Sequence, residues 1–174
     1  MTRSNLYITL TGGEFLKCVA DSSSAPEQGY IVEELILPLL ALRDPDEELE
    51  LLREHCTMDE QRSNADYRWE IDLAARIIRF YEESYHEAKD TFKKGLDLTG
   101  RYLSYLKKIE TDTDKFTKRQ FKYLSNKELV GRANGLPDLK WDDEAHELRR
   151  RSLVANGGFI YRMKGSHLVI IKDE

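Results

Sequence analysis

The sequence predicts an α+β fold, with antiparallel hairpins near residues 5–20, 67–81 and 158–172 and five or six helices packed on one sheet. Three observations carry this. Strand-period alternation occurs in "NLYITL" and "DYRWEIDL", apolar stripes at helical spacing separate the two, and the strands come as hairpins. Hairpins separated by helical runs do not read as a parallel, doubly wound sheet. The 174 residues fit a single domain spanning 1–174, with a weak division near 62–66.

In "NLYITL" (5–10), Leu6, Ile8 and Leu10 share one face, and Gly12-Gly13 then supplies the positive φ of a tight turn before "FLKCVA" (15–20) returns. "DSSSAPEQG" (21–29) reads as a loop on composition. Ile31, Leu35, Leu39 and Leu42 form a helical stripe, with a kink or break expected at Pro38. Asp44 as cap, Pro45 at the first helical position and Glu47 three residues after the cap start a helix over 44–56. Its inward face is Leu49, Leu52 and Cys56.

Tyr67, Trp69, Ile71 and Leu73 alternate with Arg68, Glu70 and Asp72, so this strand is half-buried, and the chain returns over Ile77 to Tyr81. Tyr85, Ala88, Phe92 and Leu96 then predict a helix, and Tyr102, Leu106 and Ile109 a second. Thr117 is the expected cap of a third, carrying Phe121 and Leu124, with a new cap at Ser125. Trp141, Ala145, Leu148, Ser152 and Ala155 fall on one face of a helix over 142–156, with acids in its first turn and Arg149 to Arg151 in its last. The rival reading takes Asn156-Gly157 as a hairpin turn between "RRRSLVA" and "GFIYRM".

Composition narrows the function. The longest apolar region, "YIVEELILPLLAL" (30–42), is too short and too charged for a membrane span, and no signal core opens the chain, so a cytoplasmic protein without membrane contact is expected. Cys18 and Cys56 read as two small hydrophobes, with a disulfide between them left open. The net charge of −5 is unevenly spread: −9 over residues 1–60, zero over 61–148 and +4 over 149–174. Such ends either attract each other or present a basic surface to an anionic partner.

Chemistry-bearing patterns are sparse. His55, His86 and His146 show no metal-ligand spacing, no phosphate-binding loop occurs, and no metal or cofactor is expected. Glu70 and Asp72 share a strand face, which reads as the wet side of a half-buried sheet. Aromatic residues interleaved with bases in "GRYLSYLKKIE" and "KFTKRQFKYL" read as core stripe.

One segment resembles a known family. A helix, Asn156-Gly157-Gly158, an aromatic strand, Arg162, and Lys164-Gly165-Ser166-His167 before an apolar strand are similar to the HicA family of mRNA interferases. The similarity covers residues 145–171. It implies His167 as a general acid or base in metal-independent RNA cleavage, with phosphates held by Arg162 and Lys164, and by Arg149, Arg150 and Arg151. Tyr161 and Ser166 complete the candidate surface. Two functions are therefore expected in order: a non-catalytic binding or regulatory module for a protein partner, and, as the alternative, an RNA-binding or RNA-cleaving protein centred on His167.

Overall fold

The computed structural model describes residues 1–116, 121, 123–135, 143–154, 161–164 and 167–170. The chain forms two compact units, Met1–Tyr105 and Leu106–Glu174. The stretch 62–66 lies inside the first. With a six-stranded mixed sheet and helices in both units, the fold is α+β.

In the first unit, β1 (Ser4–Thr9) and β2 (Phe15–Ala20) form the expected hairpin, closed by bonds between Leu10 and Glu14 and by Gly13 at φ 91°. A wide π-helical stretch over Ile31–Ile36 leads into α1 (Leu37–Ala41), and the helix changes type where Pro38 enters the first turn of α1. Pro38 has no N–H to continue the bonding that ends with the Leu37 amide donating to the Val32 carbonyl. In α2 (Pro45–His55), the Asp44 side chain accepts from the amides of Asp46 and Glu47. The two-residue β3 (Thr57–Met58), then β4 (Tyr67–Asp72), β5 (Ile77–His86) and β6 (Thr91–Asp97) complete a sheet of order β3-β2-β1-β4-β5-β6. All its pairings are antiparallel except β1–β4, which is parallel and joins the two N-terminal hairpins.

Two expectations are corrected. The hairpin at the C-terminal end belongs to a separate two-stranded sheet in the second unit, so the three hairpins do not share one sheet. Residues 85–96 are not a helix. β5 runs through Tyr85, a 3-10 turn covers Glu87–Lys89 with Asp90 left-handed at φ 48°, and β6 returns. Tyr85 and Phe92, seven residues apart and so on one helical face, are instead direct cross-strand partners with rings 5.0 Å apart. Seven residues is two helical turns, and it is also the separation of partners facing each other across a short loop.

Alternation sorts the sheet into two faces. Leu6, Ile8, Leu10, Cys18, Trp69, Ile71 and Phe80 are buried on one. Trp69 is the largest of these, stacked at 4.3 Å on Phe80 and edge-on at 5.5 Å to Tyr102 of α3 (Thr99–Phe116). Its indole Nε1 donates to the Ser24 carbonyl at 2.9 Å, so the polar tip is satisfied at the loop over 21–29. The other face carries Asn5, Tyr7, Arg68, Glu70 and Glu83. There the buried Glu83 carboxylate receives Arg68 Nη2 at 2.9 Å, Asn5 Nδ2 at 3.2 Å and the Tyr7 hydroxyl at 3.1 Å. This network links β1, β4 and β5, three of the four interior strands.

The second unit contains α4 (Asn126–Asn134), α5 (Asp143–Val154) and the hairpin β7 (Tyr161–Lys164) and β8 (His167–Ile170). Ser125 caps α4 in a reciprocal capping box with Glu128, as its position predicts. Residues 143–154 are helical, which decides against a strand there, and Ala145 and Leu148 are buried as the stripe requires. Thr117, Trp141 and Asn156-Gly157 lie outside the described residues.

Two predictions follow from the sheet. Glu83→Ala leaves the Arg68 guanidinium, only 12% exposed, with just the longer 3.6 Å pair to Glu70, and should cost about 3 kcal/mol, the low end for breaking a buried pair. Urea unfolding of this variant beside the native protein measures the loss. Tyr7, through burial and then the Glu83 charge, and Tyr102, through burial, have hydroxyl pKa values pushed up to about 12. Unfolded tyrosines titrate near pH 10, so between about pH 10 and 12 the unfolded chain sheds protons that the folded one keeps. Stability should be full below pH 10 and fall through that window, less steeply in Tyr7→Phe. Urea midpoints measured across the window check this.

Candidate functional site

The candidate residues near the C-terminus fall into two groups. Glu147 of α5 is buried, with one carboxylate oxygen accepting Arg150 Nε and Nη2 at 3.2 and 3.1 Å and the other accepting Arg151 Nε at 3.1 Å. Arg151 further donates through Nη1 to the Leu124 carbonyl at 2.7 Å and Asn126 Oδ1 at 3.0 Å, and through Nη2 to the Phe121 carbonyl at 2.8 Å. It therefore satisfies carbonyls just before α4 and fastens α5 to that segment, a structural use of the arginine considered for phosphate. Arg149 lies in the same helix. Sequence reading missed Glu147, because a glutamate beside arginines on a charged helix looks solvated.

The hairpin gathers the remaining group. Its register pairs Arg162 with Val169, Met163 with Leu168 and Lys164 with His167. Residues two apart on a strand and directly opposed across a ladder share a face. Arg162, Lys164, His167 and Val169 therefore share one face, and Met163 and Leu168 the other. Leu168 is buried while His167 and Val169 are exposed, which orients the ladder: the face bearing His167 is the outer one. Tyr161, paired with Ile170, falls in register with Met163 and Leu168 and is separated from the basic set. Ser166 and Gly165 lie outside the described residues.

Asn134, the last residue of α4, fixes the hairpin in place. Its Nδ2 donates to the Leu168 carbonyl at 3.0 Å and its Oδ1 accepts the Leu168 amide at 2.8 Å, so the side-chain amide acts as one residue of an added strand. Nothing in the sequence pattern singled it out, since an Asn-Gly pair reads only as a helix stop.

Elsewhere, other titratable side chains have structural partners. Glu70 is paired with Lys94 at 3.2 Å and Arg68 at 3.6 Å, and Asp72 caps the turn after β4 by accepting the Ala75 amide at 2.8 Å. Glu48, buried in α2, accepts from the Thr11 amide at 2.9 Å and from the Thr11 hydroxyl. His55 Nδ1 meets the Tyr30 hydroxyl at 2.8 Å. Among the described residues no cluster of three His, Cys, Asp or Glu is placed to hold a metal ion, and no helix is long and apolar enough to cross a membrane. On the polar face of the six-stranded sheet, Tyr7, Thr9, Phe15, Glu70, Ile77 and Arg79 line a shallow cavity of about 410 Å³. Phe15 and Ile77 at its rim are 55% and 46% exposed.

Asn134→Ala removes both partners of Leu168, leaving a buried amide and carbonyl unsatisfied, and should cost about 1–3 kcal/mol within the second unit. Hydrogen exchange at the Leu168 amide should accelerate, while exchange in β1 and β4 stays as in the native protein.

No family model, no curated protein and no solved structure matches this chain.

Proposed function

We propose that the protein is a non-catalytic binding module whose second unit engages the phosphate backbone of RNA through the outer face of its hairpin. The observation that carries this reading is the ladder register, which assigns Arg162, Lys164 and the exposed His167 to one face. Charge supports it. Residues 106–174 hold 15 Lys/Arg against 11 Asp/Glu, a net of +4, whereas residues 1–105 hold 12 against 21, a net of −9. The asymmetry noted along the sequence thus follows the division between the units, and a polyanion is drawn to the basic one.

Binding asks less of the hairpin face than cleavage does. In metal-independent hydrolysis one group takes a proton from the 2′-hydroxyl while another gives one to the leaving oxygen. His167 is one such group; Arg162 stays protonated at any working pH. Phosphate contacts need only positive charge and donors, which the hairpin face supplies. The first unit suits a protein partner, since Phe15 and Ile77 place apolar surface beside Glu70 and Arg79 on the sheet.

Fluorescence anisotropy with a labelled single-stranded RNA, in EDTA, tests the RNA reading. The intact protein should bind with an affinity that falls as salt rises. Arg162→Ala and Lys164→Ala should each weaken binding and each flatten the log–log salt slope by about 0.7. Salt-independent binding, or none at low salt, contradicts the proposal. RNA cleavage by the native protein that His167→Ala abolishes would replace it with the ribonuclease reading.

A further inference from the structure

Cys18 and Cys56 are free thiols brought together from positions 38 apart in the chain. Cys18 lies in β2 on the covered face of the sheet and is fully buried. Cys56 ends α2, its amide donating to the Leu52 carbonyl at 2.8 Å, and its backbone is already extended at φ −131°, ψ 155°. Cys18 pairs with Met58 and Val19 with Thr57. Strand alternation then returns Cys56 to the face of Met58, diagonal to Cys18. Hydrogen bonding to Cys56, followed by burial, raises the pKa of the Cys18 thiol, so it stays protonated near neutral pH.

Access to the two sulfurs differs. Cys56 is half-buried and lines a cavity of about 320 Å³ with Asp21, Tyr30, His55 and Thr57, large enough for a small oxidant. A disulfide requires the two Cα atoms to lie within about 7 Å. β3 is a two-residue strand at the edge of the sheet, so it can make a small closing movement without disturbing the central strands.

We propose that Cys56 and Cys18 form an oxidation site at which a peroxide converts the thiol pair into a disulfide. The Cys56 sulfur, as thiolate, attacks one peroxide oxygen and the O–O bond breaks, giving a sulfenic acid on Cys56 and, after protonation, one water. The Cys18 sulfur then attacks the Cys56 sulfur, expelling hydroxide, which leaves as a second water with the Cys18 proton. Two thiols and one hydrogen peroxide thus become a disulfide and two waters, the two sulfurs losing two electrons to the peroxide oxygens. The order of attack follows from exposure, because only Cys56 meets the cavity. The product fastens β2 to the end of α2 and shortens the unfolded chain, so it raises the midpoint of unfolding.

The test treats the full chain with hydrogen peroxide and dimedone, then measures intact mass and maps peptides without reduction. The native protein should lose two hydrogens, show a peptide linking Cys18 to Cys56, regain both thiols with dithiothreitol and unfold at higher urea when oxidised. Cys18→Ser, shown folded by circular dichroism, should carry dimedone on Cys56, whereas Cys56→Ser should leave Cys18 unmodified. Two alkylatable thiols after peroxide, a disulfide between chains, or dimedone on Cys18 in Cys56→Ser would each overturn the assignment.

Discussion

The parallel pairing of β1 with β4 is the constraint on which the first unit depends. Parallel neighbours cannot be joined by a tight turn, so the chain must leave β1, travel, and re-enter the sheet in the same direction. Here that journey includes β2, the helical segments over 31–55 and β3, and the buried residues of those helices, among them Ile31, Leu35, Leu39 and Leu52, supply apolar surface for the sheet's covered face. The apolar positions of β1 and β4 (Leu6 opposite Trp69, Ile8 opposite Ile71) stand side by side in register, and a slip of one residue would bring Trp69 to the polar face. The register also brings Asn5 beside Arg68 on that polar face, where both meet Glu83. One pairing therefore sets the core and the buried charge network together.

Much of this was legible locally. The alternation in 5–10 and 67–73, the Asp44-Pro45 start of α2, the Ser125-Glu128 capping box and the stripe through Ala145 and Leu148 each rest on forces within a few residues, and each element formed where expected. What was not legible depends on distant neighbours. Nothing near Leu6 states that Trp69 will lie beside it. The 85–96 segment shows the same limit: its aromatic spacing fits two helical turns, but β5 extends past Tyr81 because its pairing with β4 and β6 is already laid down.

Carboxylates give the sharper lesson. Glu48, Glu83 and Glu147 are indistinguishable in sequence from their solvated neighbours, yet each is buried and receives donors, Glu48 and Glu83 from other elements and Glu147 from arginines of its own helix. At the candidate site, the arginine run was visible and its use was not: Arg150 and Arg151 turn inward to Glu147. The hairpin face was half visible, since Lys164 and His167 flank the Gly165-Ser166 pair in the sequence, and only the register showed Arg162 joining them and Tyr161 parting from them. The Asn134 clamp on Leu168 then ties that face to α4, so the basic residues sit on a hairpin held at a defined place in its unit.

The central claim is that the hairpin face of the second unit is where RNA binds, and its most direct test is residue-resolved. An amide correlation spectrum of the labelled full chain, recorded while single-stranded RNA is titrated in, reports every backbone N–H at once. Binding as argued here should shift the amides of Arg162, Lys164, His167 and Val169 in a saturable manner and leave those of Tyr7, Arg68 and Glu83 in place. Shifts centred on the sheet of the first unit, or a spectrum that RNA leaves unchanged, would contradict it.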